Sequence, residues 1–207
     1  MTLIRLTKGT PNALFWLLCL SIALVSLPKF LPVFAMAQPH LTVHFLARPE
    51  WFTMHVISAG LALLILPFQA WKRLRTGRPT VHRWMGRTYV LACVMGGVSG
   101  IALAYGSEAR LTARIGFALL GAVWIWTTVV ALLAARARDF ARHRAWMIRS
   151  GALTFAAVTL RLYLPFGFIA GMEINEIYEI VGWACWVPNL IVAEWVLVPR
   201  ATRRVAA

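Results

Sequence analysis

Leu61–Arg87 reads LALLILPFQAWKRLRTGRPTVHRWMGR: an apolar run that stops at Trp71, a loop carrying Lys72, Arg73, Arg75 and Arg78, then a His-Arg-Trp segment that opens the next apolar run. A bilayer core about 30 Å thick needs about 20 apolar residues per helix, so an abrupt exchange of hydrocarbon for Lys and Arg marks a membrane exit. Traced outward, the first run reaches back to Trp51 and the second forward to Tyr105. Both are long enough to cross.

The whole chain has this character. Its 207 residues are 60% hydrophobic and 14% charged, and the mean hydropathy is +0.72, values outside the range of ordinary soluble domains. The apolar runs predict six spans, at about 12–34, 51–71, 84–105, 111–134, 146–169 and 177–198. Pro28, Lys29 and Pro32 interrupt the outer third of the first. The connections are too short for separate domains, so residues 1–207 read as a single integral membrane domain. The predicted fold is an all-α polytopic membrane protein, six transmembrane helices with a four-helix core made of spans two to five.

A net charge of +14 could suggest nucleic acid, but its distribution argues for topology and against that partner. Arg5, Lys8, the Lys72–Arg87 and Arg136–Arg149 segments, Arg200, Arg203 and Arg204 fall on one face, whereas Lys29, Arg48, Arg110 and Arg114 fall on the other with Glu50, Glu108, Glu173, Glu176 and Glu179. The positive-inside rule then puts both termini in the cytoplasm. The basic start followed by an apolar stretch resembles a signal peptide, but the run exceeds the usual h-region and the first span is expected to be retained. Cys19, Cys93 and Cys185 all lie in apolar runs and read as small buried residues.

The segment His82-Arg83-Trp84-Met85-Gly86-Arg87 returns, with one residue inserted, as His143-Arg144-Ala145-Trp146-Met147-Ile148-Arg149. Each copy follows a basic loop and starts a span that runs outward, so the two form parallel repeats with an offset of 61 residues between His82 and His143. Both imidazoles are thereby expected at one depth of one face. Gly96, Gly97, Gly100, Gly116 and Gly121 mark places where helices pack closely. Trp51, Trp71, Trp84, Trp146, Trp183 and Trp195 lie near span ends, as an aromatic belt would.

Polar groups inside spans cost free energy and are the candidates for function. Gln69, His82, Arg83, Arg87, His143, Arg144, Arg149 and Glu194 collect toward the cytoplasmic side, His55 and Arg161 toward the outside, and Asn189 between them. Glu194 is expected to pair with Arg87 or Arg149, since a lone carboxylate at that depth would take up a proton. Arg161 either snorkels to Glu173, Glu176 or Glu179, or joins His55 in holding an anion.

Neutral imidazoles at helix starts can ligate iron. His82 and His143 would hold a haem b, with Arg83, Arg87, Arg144 and Arg149 pairing its propionates and Gln69 and Glu194 ordering the surroundings. The competing reading makes the same segments interfacial anchors for membrane lipid phosphates, and a quinone could also use them. Neither a Walker loop nor a His-Glu-x-x-His, Cys-x-x-Cys or Ser-His-Asp pattern supports a hydrolase or nucleotide-driven pump.

His82–Val90 (HRWMGRTYV), His143–Arg161 (HRAWMIRSGALTFAAVTLR), Leu66–Gln69 and Trp183–Glu194 (WACWVPNLIVAE) together resemble a family of bacterial membrane proteins of unknown function, over about Trp51 to Trp195. The chain is more distantly similar to the cytochrome b561 and ferric reductase group, whose four central helices hold haem between paired histidines. That likeness implies a pairing of spans three and five, which His82 and His143 match in helix order. Span four has no histidine to pair with His55, so one bis-histidine haem is implied rather than two. The leading expectation is a membrane redox protein of haem-b type, supplied with electrons by a partner or a diffusible quinol. The alternatives are a non-enzymatic carrier or lipid- and anion-binding protein using the Arg-rich mouth, and a structural subunit; whether the protein is an enzyme is left open.

Overall fold

The computed structural model describes residues 13–37 and 39–199, and among these every regular element is a helix. The predicted start of span one at Asn12, and the terminal Arg5, Lys8, Arg200, Arg203 and Arg204, lie outside the described residues. The elements are α1 (Ala13–Ser26) with a 3₁₀ turn (Leu27–Phe30), α2 (Pro32–Met36), α3 (Pro39–Ala47), α4 (Pro49–Ala70), α5 (Lys72–Gly77), α6 (Pro79–Tyr105) and α7 (Leu111–Arg136). Then come α8 (Phe140–Thr154), α9 (Ala156–Ile169), α10 (Ile174–Ala184), α11 (Val187–Val192) and a π-helical turn (Ala193–Leu197). Six segments are long and apolar enough to cross a membrane: 13–30, 49–70, 79–105, 111–136, 140–169 and 174–197.

The helix starts follow local chemistry more than hydropathy. Pro49 and Pro79 occupy the first helical position of α4 and α6, where a missing N–H costs nothing and φ is already helical. Asp139 caps α8 by accepting a hydrogen bond from the Arg142 N–H at 3.0 Å. Arg138, at φ +60°, supplies the left-handed residue that reverses the chain between α7 and α8. Consequently spans three and five begin at Pro79 and Phe140, several residues before the predicted Trp84 and Trp146, and His82 and His143 are inside regular helix. Span one ends earlier than predicted, at Phe30, because Pro32 opens the separate helix α2.

The helices α4, α6, α7 and α8 pack side by side in that order, and Leu66 of α4 closes the ring against the bare backbone of Gly151 in α8. The α1 segment lies against α4 and α9, while α10 and α11 cover α7 and α8. Hydrocarbon cannot drive apolar faces together inside a bilayer, so backbone proximity and buried polar contacts must hold this arrangement. At the α6–α7 crossing, a Cβ on Gly97 would stand 3.0 Å from the Gly121 carbonyl and 2.5 Å from an Ile125 carbon. Small residues there are a steric requirement. Gly116 makes a comparable approach to the Gly182 carbonyl of α10.

The basic residues of α5, the first turns of α6 and α8 and the end of α7 gather at one end of the ring, called the basic end below. Gly97→Val is expected to destabilise the protein by about 1–3 kcal/mol, as overpacking does, whereas Gly77→Ala, with nothing within 4 Å of the added carbon, is expected to be neutral. Unfolding of the two variants in mixed detergent micelles checks this; equal effects would contradict the close crossing.

Candidate functional site

The centre of the ring is polar. Tyr89 of α6, fully buried, reaches Ser150 Oγ at 3.0 Å and Thr154 Oγ1 at 2.7 Å on α8. Trp124 of α7 donates its indole N–H to Thr154 Oγ1 at 2.9 Å, and Thr128 meets Ser150 Oγ at 2.7 Å. Thr128 donates in turn to the Trp124 carbonyl. With Ser150 donating to Thr128, Tyr89 to Ser150 and Thr154 to Tyr89, every hydrogen of the cluster has an acceptor, as a buried polar group requires. Gly96 leaves the space that the Trp124 ring fills.

This cluster sets the register of α6 against α8. Both helices run away from the basic end, and Tyr89 meets Ser150 across the ring with the same 61-residue offset that separates His82 from His143. Seven residues are nearly two full turns, about 10.5 Å along the axis and within about 20° of the same face. His82 and His143 therefore lie below Tyr89 and Ser150, at equal depth and facing the same seam, with His143 close enough to act electrostatically on His82. Arg75, from the short α5 helix, also acts on His82.

The two imidazoles have defined settings. His143 Nδ1 lies 2.8 Å from the Ala131 carbonyl of α7, which accepts its proton and leaves Nε2 as the unprotonated nitrogen. His82 Nδ1 is buried without a hydrogen-bond partner. Gln69, at the end of α4, donates from Nε2 to the His82 carbonyl at 3.3 Å and so ties α4 to the start of α6.

The arginines of the two copies are drawn apart. The inserted Ala145 rotates everything after it by about 100° around the helix. Each copy keeps its internal stacking, Arg87 over Trp84 at 4.7 Å and Arg149 over Trp146 at 4.6 Å, but the two pairs point differently. Trp84 is 62% exposed, whereas Trp146 packs edge-on to Trp126 of α7 with centroids 5.0 Å apart. Arg149 forms a two-pronged ion pair with Glu194 of the π-helical turn, both contacts 2.8 Å. Arg83 is exposed and donates to Thr80, and Arg144 is half-buried. The seam itself thus holds Gln69, Arg75, His82 and His143, with the arginines of the motif arrayed around it.

Arg149 and Glu194 also border a groove of about 450 Å³ between α7, α8 and α11, whose aromatic walls are Trp126, Trp146, Trp186 and Trp195. Asn189 is structural. Its amide nitrogen reaches Thr159 Oγ1 and the Cys185 carbonyl, both at 2.9 Å, fastening α11 to α9 behind Pro188. At the opposite end, His55 Nδ1 donates to the Gly96 carbonyl at 3.0 Å. Arg161 does not snorkel to the acids there: Glu173 and Glu176 form the capping box of α10, and Glu179 pairs with Arg110 at 2.7 Å.

Residues 52–197 match the model of a protein family described as predicted membrane protein, DUF2306. No curated protein and no solved structure matches the chain. Tyr89→Phe removes the α6 hydroxyl that meets Ser150 and Thr154 of α8, and is expected to cost about 0.5–1.5 kcal/mol, the scale of interhelical hydrogen bonds in membranes. A denaturant titration in micelles measures it, and an unchanged midpoint would contradict the clamp.

Proposed function

This chain belongs to the DUF2306 family of predicted membrane proteins, and on that premise we propose that it is a membrane redox protein of haem-b type with a bis-histidine site at its basic end. The observation that carries the reading is the placement of His82 and His143 on one seam at one depth, set by the Tyr89–Ser150 contact. The donor set suits iron. The Ala131 carbonyl holds His143 in the tautomer whose Nε2 is free, the arrangement usual for ligating histidines, and the buried His82 Nδ1 has no hydrogen-bond partner among the described residues.

His82 and His143 would hold the haem iron, and a haem so held would supply one-electron transfer. The chain's own residues prepare the site. Gln69 fixes the first turn of α6, and hence the His82 backbone, through its 3.3 Å hydrogen bond. Arg75, Arg83 and Arg144 keep the surroundings positive, which suits propionate carboxylates. The charge distribution supports a cytoplasmic basic end, and the likeness to bacterial membrane proteins supports an inner-membrane location. A quinol or a protein partner would serve as electron donor.

A second reading is a non-enzymatic carrier or lipid-binding protein that uses the arginines of the mouth. The groove beside Arg149 and Glu194 favours it, because tryptophan walls with an ion pair at one end suit an amphiphile. The absorption spectrum of the purified protein decides between the two. The haem reading expects a Soret band that shifts on reduction and is lost in His82→Ala and His143→Ala but kept in Arg149→Ala. A protein with no Soret band after haem supplementation overturns it and leaves the carrier reading, in which Arg149→Ala is the damaging change.

A further inference from the structure

Glu194 and Trp195 share the π-helical turn Ala193–Leu197, at the end of the last span. Such turns are rare and concentrate at functional sites, where the extra residue re-aims side chains that a regular helix would present elsewhere. Here both residues line the groove of about 450 Å³ between α7, α8 and α11, a volume within the range of about 300–1,000 Å³ typical of ligand pockets. Its polar end is the ion pair of Glu194 with Arg149. From there the lining on the last span continues back to Val187 and Trp186, the latter eight residues before Glu194 and about 12 Å deeper at 1.5 Å per residue. The groove thus has a charged head toward the basic end and an apolar body.

The ion pair fastens α8 to the last span but leaves both charges open. Its two hydrogen bonds, each 2.8 Å, use two of the five N–H donors of Arg149 and one of the two lone pairs on each oxygen of Glu194, leaving three N–H groups and two lone pairs. The Arg149 guanidinium also lies over the Trp146 ring at 4.6 Å, so it is held from two sides. The Glu194 side chain is 47% exposed. Two of the walls are open as well: Trp126 and Trp195 are 57% and 77% exposed, and their indole N–H groups donate to no described residue.

We propose that this groove holds phosphatidylethanolamine, a zwitterionic phospholipid with a primary ammonium, its phosphate on Arg149, its ammonium on Glu194 and an acyl chain along the tryptophan walls. Such occupancy rests on the lipid-binding reading of the groove and is independent of the haem reading, since the groove shares no residue with the histidine seam. Net charge decides the headgroup. Arg149 and Glu194 sum to zero, so an anionic headgroup gains from one and loses to the other, whereas a headgroup with one charge of each sign meets its opposite at both ends. A primary ammonium has three N–H donors for the lone pairs of Glu194, and a quaternary ammonium has none. Tryptophan suits the boundary between acyl chain and headgroup, because its ring is apolar and its N–H polar.

Thermal unfolding of the delipidated full chain in neutral detergent, titrated with short-chain phosphatidylethanolamine, phosphatidylcholine or phosphatidylglycerol, tests this. A rise of several degrees with phosphatidylethanolamine, larger than with either of the others at equal concentration, is expected. Equal rises with all three, or a larger one with phosphatidylcholine or phosphatidylglycerol, overturn the headgroup and leave the lipid-binding reading standing; no rise with any of them overturns both. Glu194→Gln removes the negative member of the pair and is expected to transfer the preference to phosphatidylglycerol. A variant that still prefers phosphatidylethanolamine overturns the site. Should Glu194→Gln fail to fold, Trp195→Leu decides, because so exposed a side chain contributes little to packing. Phosphatidylethanolamine binding weaker by about fivefold or more, the scale of one lost aromatic contact, supports the groove, and unchanged binding overturns it.

Discussion

Tyr89 reaching across the ring to Ser150 and Thr154 is the contact on which the other placements depend. In a bilayer the apolar faces of α6 and α8 gain nothing from facing each other rather than lipid, so their relative height must be set by groups that lipid cannot satisfy. A buried phenol that donates to one hydroxyl and accepts from another fixes that height to within a hydrogen bond. Trp124 and Thr128 extend the constraint to α7. A helix slip of one residue would leave several donors and acceptors unmet in hydrocarbon, each at a cost of a few kcal/mol.

The histidine seam is a consequence of that register. Parallel helices joined at Tyr89 and Ser150 carry their preceding turns together, so His82 and His143 arrive level. The extra residue in the second copy has the opposite effect on the arginines. It leaves the histidines aligned and rotates Trp146 and Arg149 toward α7 and Glu194, so that one copy of a repeated motif faces outward while the other becomes part of the packing between spans.

The six spans and the pairing of Glu194 with an arginine are legible in the sequence because length, hydropathy and the cost of a lone charge determine them. The starts of α6 and α8 are less so, since hydropathy falls at His82 and His143 while Pro79 and Asp139 begin the helices earlier. Tyr89, Thr128, Ser150 and Thr154 escape a reading based on charge, because a hydroxyl can return its hydrogen to a helix carbonyl at little cost and so leaves no mark on hydropathy. The signal available for them was the offset of 61 residues, which aligns Tyr89 with Ser150 as it aligns the histidines. Arg75 was hidden by being one of several cations in a loop that proves to be a short helix over the mouth. The divergence of Arg87 and Arg149 follows from the single inserted residue, but only once both segments are taken as continuous helix.

The central claim is that the buried hydroxyl cluster holds His82 and His143 opposite one another. Spin labels attached to cysteines at positions 82 and 143, in a background where Cys19, Cys93 and Cys185 are replaced by alanine, test it most directly in reconstituted membranes. The doubly labelled protein is expected to show dipolar broadening of its continuous-wave spectrum, and the broadening to diminish when Tyr89→Phe is added. A doubly labelled spectrum equal to the sum of the two single ones would contradict it.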